Sequence, residues 1–291
     1  MKSIKPGRLF ACTMGCFAVA SCSEGPLNPQ GPVAKAERLV LLDATAIMLA
    51  VIVPVILLTL CFAWWFRSGN LRARYRPEWE YSGRIEMIIW AIPALVILFL
   101  GGIAWIGAHD LDPPAPLKSA VPPLEVEVVS VDWRWIFIYP QQGIASIDRL
   151  TVPAGVPLHF RLTSTSVMNS FFVPQLGSQI YTMAGMTTQL NLMADQAGTY
   201  PGLSAQFSGD GFSDMRFDVV AVSAEAFQSW VDSAHAAGGV LDRSTFDRLA
   251  QPSHDHAVLT YGEITHGLFD SIANGPMRMT HGTMTHGPAQ E

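Results

Sequence analysis

Charge is what this sequence has least of. Asp, Glu, Lys and Arg make up 14% of its 291 residues, and hydrophobic residues make up 49%. About a quarter of an ordinary soluble domain is charged, so the shortfall is large. The balance is acidic, a formal −6, and no Lys/Arg-rich stripe interrupts it. Nucleic-acid binding, which needs such a stripe, is excluded on that ground. Disorder over most of the length is excluded too, because disordered chains are poor in apolar residues. Also missing are G-x-S-x-G, Walker A and H-E-x-x-H motifs, so hydrolytic, nucleotide and zinc-protease chemistry have no starting point. Cysteine is sparse: there are four, and their positions decide what they can do.

Long apolar blocks take the place of charge. Residues 9–20 follow a basic start (Lys2, Lys5, Arg8) and lead into small residues, the pattern of a secretory signal peptide too short to span a bilayer. Val19-Ala20-Ser21-Cys22 resembles the lipobox of bacterial lipoproteins, with Val where Leu is usual. Cys22 is therefore expected to be lipidated and to become the new N-terminus, and Cys12 and Cys16 to leave with residues 1–21. Blocks 44–66 and 87–108 carry no charge over 23 and 22 residues. At 1.5 Å per residue each reaches roughly 33 Å, enough to cross a hydrocarbon core about 30 Å thick. Trp64, Trp65, Trp90 and Trp105 lie near their ends, where aromatic belts form. Arg67, Arg72, Arg74, Arg76 and Arg84 fall between the blocks, so the loop 67–86 is expected in the cytoplasm and both flanks outside. An exported N-terminus requires the same arrangement. Residues 22–43 then form an extracytoplasmic lead-in.

From His109 onward the chain has a formal charge of −10 and reads as a soluble module. A Pro-rich linker at 109–123 precedes β-rich stretches at 124–139, 158–162, 171–173, 187–192 and 215–222, separated by Gly- and Pro-bearing turns. This predicts a β-sandwich or barrel over 124–222. Phe227, Trp230, Val231 and Ala234 at i, i+3, i+4, i+7 predict a helix with Ser223 as its N-cap, and a second short helix is expected near 244–250, within a helical region 223–250. The remainder, 251–291, shows no periodicity and is expected to be a loosely ordered tail. The fold class expected is a membrane-anchored α+β chain: a two-helix transmembrane hairpin, then an extracytoplasmic Greek-key β-sandwich and a short helical C-terminal region.

This architecture resembles subunit II of the haem–copper terminal oxidases, whose exported domain is cupredoxin-like. In the cytochrome c oxidase branch that domain holds two coppers, with ligands from an early His and a late loop C-x-E-x-C-x-x-x-H-x-x-M. The segment 204–215 keeps the spacing and loses the chemistry. Ser204 and Ser208 stand for the Cys pair, Gln206 for Glu, Phe212 for His, and Asn169 for the early His; Met215 alone remains. Two adjacent coppers need bridging thiolates, and a hydroxyl that stays protonated near neutral pH does not supply one. Cys61 lies in a membrane block, so no thiol is left for the exported domain, whether for copper or for a disulfide.

That departure resembles the quinol oxidase branch of the cytochrome bo type. The likeness runs from the lipobox to about residue 250, most closely at Val129–Trp135, 167–174, 176–181 and 202–215. It implies a subunit of a proton-pumping ubiquinol oxidase of the bacterial inner membrane. Haems and copper would then reside in subunit I, with none in this chain. Partners would be subunits I, III and IV, membrane lipid and, through subunit I, the ubiquinol pool; soluble cytochrome c would have no role. It also implies that Glu86, opening the second block, lies near the mouth of a proton-uptake pathway of subunit I. An interfacial carboxylate at a helix N-terminus, where the dipole favours it, accounts for Glu86 equally well. Trp133 and Trp135, two apart, are expected to share a strand face and to pack as aromatics of the sandwich core or of its contact with subunit I. Met183, Met186 and Met193 are likewise expected in the core. A different function, a lipid-anchored copper-binding or sensing protein, would rest on His254, His256, His266, His281 and His286 with Met277, Met279 and Met284.

Overall fold

The computed structural model describes residues 25–74, 76–78, 80–253 and 257–275, and the chain divides into two units: 36–112, and 1–35 together with 113–291. The signal peptide, Cys22, His254, His256 and the residues beyond 275 lie outside the described part.

In the first unit the two apolar blocks are helical. Helix α1 spans Pro32–Trp65 and α2 spans Gly83–Asp110. Both are long and apolar enough to cross a membrane. Helix α1 starts twelve residues before the apolar block. Pro32 occupies the first helical position, where its missing N–H costs nothing. The segment that follows is made mainly of good helix formers. Polar side chains within α1 satisfy themselves locally: Thr45 and Thr59 donate to the carbonyls of Leu41 and Val55, each at 2.7 Å. At its end, Arg67 and Asn70 donate to the carbonyls of Trp64 and Trp65, which the last turn leaves without helical partners.

The second unit is a sandwich of two sheets. The first has the order β12-β3-β2-β1-β5-β8 and the second β4-β10-β9-β6-β7. Their strands are β1 (Leu124–Val131), β2 (Arg134–Tyr139), β3 (Ile144–Ile147), β4 (Arg149–Pro153), β5 (Leu158–Ser164), β6 (Asn169–Phe172), β7 (Ile180–Thr182), β8 (Thr188–Leu192), β9 (Gly198–Ser204), β10 (Arg216–Val222) and β12 (Thr260–Tyr261). Strands β1 and β5 pair in parallel, as do β4 and β10; the neighbouring pairs are antiparallel. Between the sheets lies an aromatic core in which Phe171 stacks on Phe217 at 5.0 Å, and Trp135 and Phe160 close on Phe171 at 5.4 and 5.5 Å. Tyr139 ties this core to the backbone by donating to the Thr151 carbonyl and accepting from the Thr151 N–H. Complete burial pushes its phenol well above the ordinary tyrosine range.

The stretch 124–139 is two strands, joined by the tight turn Asp132-Trp133 with Val131 opposite Arg134. This corrects the expected placement of the tryptophans. Trp135 is a fully buried strand residue, but Trp133 sits on the turn with φ 71° and faces elsewhere. The methionines also depart from expectation. Met186 is exposed and Met183 and Met193 are only half-buried, because they lie in loops around β7 and β8.

Every residue of β2 is buried, so the first sheet is covered on both faces. Its outer face (Val129, Val131, Ile136, Ile138, Ala145, Ile147) forms a second core with residues from the C-terminal part of the chain. That part comprises α3 (Ala224–Ala237), β11 (Val240–Leu241), α4 (Arg243–Leu249), β12, β13 (Glu263–Ile264) and α5 (Leu268–Ala273). The N-cap of α3 is Ser223, whose hydroxyl accepts from the Ala226 N–H, as its sequence predicts. The expectation of a loose tail from residue 251 is corrected for 257–275: Leu268, Phe269, Ile272 and Ala273 of α5 are buried on the sheet. Strands of two residues and a helix of six are too short to show a period, and so leave no pattern to read. Arg161 borders this layer, bonded at 2.7 Å to Glu127 and to Asp270, with its guanidinium 4.8 Å from the Phe269 ring centre.

Residues 25–35 lie along the sandwich. The Gln30 N–H donates to the Gln175 carbonyl at 2.7 Å, the Gln30 carbonyl accepts from the Asp195 N–H at 2.8 Å, and Lys35 pairs with the Asp195 carboxylate. A Cβ at Gly31 would sit 2.2 Å from the Met193 carbonyl oxygen, so only glycine allows this approach.

Candidate functional site

Strands β6 and β9 pair with Phe171 opposite Ser204, which brings Asn169 to the start of the β9–β10 loop. Ser204 and Asn169 are both buried, and the Ser204 hydroxyl donates to the Asn169 side-chain oxygen at 3.1 Å. The Asn169 amide nitrogen reaches the Val167 carbonyl at 3.4 Å. Buried Met215 closes the loop, with its backbone carbonyl accepting from the Ser204 N–H at 3.0 Å. Its thioether lies 4.0 Å from the Ser208 hydroxyl. Four of the six positions singled out in the sequence thus converge: Asn169, Ser204, Ser208 and Met215. Phe212 turns away and packs edge-on against Phe207, at 5.6 Å between ring centres. Gln206 contributes its backbone carbonyl to the Ser204 hydroxyl at 3.3 Å.

The loop itself is shaped by Trp133. A Cβ at Gly211 would fall 2.2 Å from the Trp133 ring, and Gly209, at φ +115°, also lies against the indole. A 3-10 turn over Phe212–Asp214 then returns the chain to β10. The same end of the sandwich carries further buried hydroxyls. Ser130 and Thr182 bond each other at 2.8 Å, and Thr182 reaches the Asn169 carbonyl at 3.5 Å. Ser166 donates to buried Asp132, also at short range. Nothing in the sequence marks these as a group, since they come from three separate stretches, 130–132, 166–169 and 182.

Among Asn169, Ser204, Ser208 and Met215 the chemistry available is hydrogen bonding between neutral groups. A hydroxyl already donating to an amide, and a lone thioether, do not fit a two-copper centre, which needs soft bridging thiolates and imidazole. The donor set disagrees with that metal. Glu86 is exposed in the first turn of α2, its N–H bonded to the Ser82 carbonyl at 3.0 Å. His266 is exposed just before α5.

Comparisons with known proteins bear on this geometry. Residues 141–222 match the family described as cytochrome c oxidase subunit II, periplasmic domain, and residues 235–279 match the COX aromatic rich motif. The cytochrome bo(3) ubiquinol oxidase subunit 2 of Pseudomonas aeruginosa is 45% identical over 87% of this chain and 77% of its own. The ubiquinol oxidase subunit 2 of Acetobacter aceti is 46% identical over 87% of this chain and 83% of its own. That of Pseudomonas putida, also a cytochrome bo(3) ubiquinol oxidase subunit 2, is 42% identical over 94% and 87%. The chain belongs to the ubiquinol oxidase subunit 2 family. The two apolar helices and the match to a periplasmic domain make this member an inner-membrane protein with a cupredoxin-like exported part. The aromatic rich motif of the family coincides with the C-terminal layer over the first sheet, which carries Phe246, Tyr261 and Phe269. As in the family at large, the chain is one subunit of a multi-subunit haem–copper oxidase.

Proposed function

We propose that this chain is the copper-free subunit II of a proton-pumping ubiquinol oxidase, which oxidises ubiquinol and reduces dioxygen to water. The observation that carries the copper-free reading is the Ser204–Asn169 hydrogen bond at positions where bridging thiolate and imidazole would be required. In this reading haems and copper belong to subunit I, electrons enter from the membrane, and a soluble cytochrome c has nothing to reduce here. The chain then caps the outer face of subunit I, with subunits III and IV completing the complex. The test is to purify the native complex and measure quinol and cytochrome c oxidation alongside haem and copper content. Quinol oxidation is expected, with no copper beyond that of the oxygen site in subunit I. Two further coppers, or turnover of reduced cytochrome c, would overturn the reading.

In the same reading Cys22 and Glu86 have roles of their own. Cys22 carries a lipid anchor, supported by the lipobox pattern; mass spectrometry of the mature chain is expected to find it acylated, and an unmodified Cys22 would refute this. Glu86 feeds a proton pathway at the cytoplasmic side, supported by its place in the first turn of α2. Glu86→Gln is expected to slow turnover of the assembled oxidase while leaving its haem content unchanged, and unaltered turnover would remove that role.

A further inference from the structure

The β9–β10 loop holds one residue that the copper-free reading leaves without a task. Phe207 is a large aromatic left 72% exposed at the loop tip, yet it is held in place by its edge-on contact with Phe212. Exposed aromatics that are rigid before binding are the side chains that anchor protein interfaces, because little conformational freedom remains to be lost. The loop beneath it is built rather than loose. Trp133, set on its turn in the left-handed region, fills the space that any side chain at Gly211 would need. Exposed Asp210 and Asp214 flank the aromatic pair.

Resting on the reading of the chain as a subunit of a larger oxidase, we propose that Phe207 is the anchor by which this loop docks on a partner subunit. The site it enters is an apolar socket rimmed by Lys or Arg. Trp133 is the positioning residue that holds the loop in docking form where no metal organises it. The acidic flank selects a basic rim, and the same flank disfavours an anionic lipid surface as the occupant.

The test uses the full complex, extracted in mild detergent through a tag on this chain. Phe207→Ser alters a solvent-facing residue and leaves the cores untouched, so the chain is expected to insert and fold normally. Haem recovered per chain is expected to fall about tenfold or more, the effect of losing one interface anchor. Asp210→Asn with Asp214→Asn is expected to lower recovery at low salt and to remove the parent's loss of recovery as salt rises. Trp133→Ala is expected to reproduce the loss and to expose 205–215 to protease, with Trp133→Phe restoring both. Gly211→Ala is expected to harm the parent and to be tolerated in the Trp133→Ala chain, where the colliding ring is gone. Full haem recovery with Phe207→Ser would overturn the anchor, and Trp133→Ala with an unchanged cleavage pattern would overturn the positioning role. If the parent chain itself brings down no haem, the subunit reading fails instead, and the two failures are thereby distinguished.

Discussion

Removing one aromatic from the outer core tests whether the C-terminal layer is an integral part of the exported domain. Phe269 is 1% exposed, pressed on the first sheet from α5, with the Arg161 guanidinium 4.8 Å above its ring. Phe269→Ala deletes the ring and leaves a cavity, at a cost of about 3–5 kcal/mol. The cation–π contact adds roughly 0.5–1 kcal/mol at a partly exposed site. The ion pair between Arg161 and Asp270 would survive, but with side chains 34% and 58% exposed it contributes no more than about 1 kcal/mol. The sum, about 5 kcal/mol, corresponds to a midpoint lowered by roughly 10–20 °C for a domain of this size. Thermal unfolding of the full chain in detergent reads this directly, and hydrogen exchange locates it. Exchange is expected to rise first in 257–275 and on the outer-face residues of β1–β3, ahead of the aromatic core between the sheets. Phe171→Ala, an equal truncation between the sheets, is expected to accelerate exchange in both sheets together. A Phe269→Ala midpoint within about 2 °C of the parent would refute the reasoning, because it would mean the layer adds nothing to the fold.

Three further outcomes follow from particular contacts. Ser204→Ala leaves the buried Asn169 side-chain oxygen without its donor, so a loss of about 1–3 kcal/mol is expected in denaturant unfolding, with no change in haem content of the complex. Burial outweighs the pull of Arg161 and holds the Glu127 carboxyl above its ordinary 4.5, so the folded state binds that proton more tightly than the unfolded chain. Its stabilising contribution is therefore full below about pH 4.5 and lost as pH rises through the raised value. Glu127→Gln is expected to gain stability relative to the parent between pH 4 and 7, and a relative loss over that range would refute the sign. Gly31→Ala forces a Cβ against the Met193 carbonyl, so hydrogen exchange at 28–35 is expected to quicken at a cost of about 1–3 kcal/mol, while that of β9 and β10 stays unchanged.

The membrane hairpin, the strand-rich domain over 124–222 and the Ser223-capped helix are legible in the residues because each rests on a local pattern. An uncharged run of sufficient length, an alternation or turn every few residues, and i, i+4 spacing are visible one segment at a time. The loss of copper ligands is legible for the same reason, since a residue type and a spacing decide it without coordinates. The start of α1 at Pro32 was hidden because its first turns carry charge and so fall outside the apolar block. The displacement of Trp133 from its strand was hidden because a two-residue turn inside a β-rich stretch breaks no hydrophobic pattern.

What lies beyond local pattern was decided in three dimensions. Residues of the β-sandwich that are far apart in the chain meet only in the fold: the pairing of β6 with β9 sets Ser204 on Asn169, and the packing of one sheet on the other sets the Trp133 ring on Gly211. The run Trp135–Tyr139 of β2 is apolar throughout, but nothing in it says what covers the outer face of the sheet. The cover is α5 and its neighbours, elements too short to be stable or periodic alone. They are ordered because the apolar face of β1–β3 must be withdrawn from water, and the C-terminal segment supplies the surface that does it. Composition and spacing thus determined the class of protein and the chemistry its exported loop lacks. Tertiary structure alone decided which residues shape that loop and which segment completes the core.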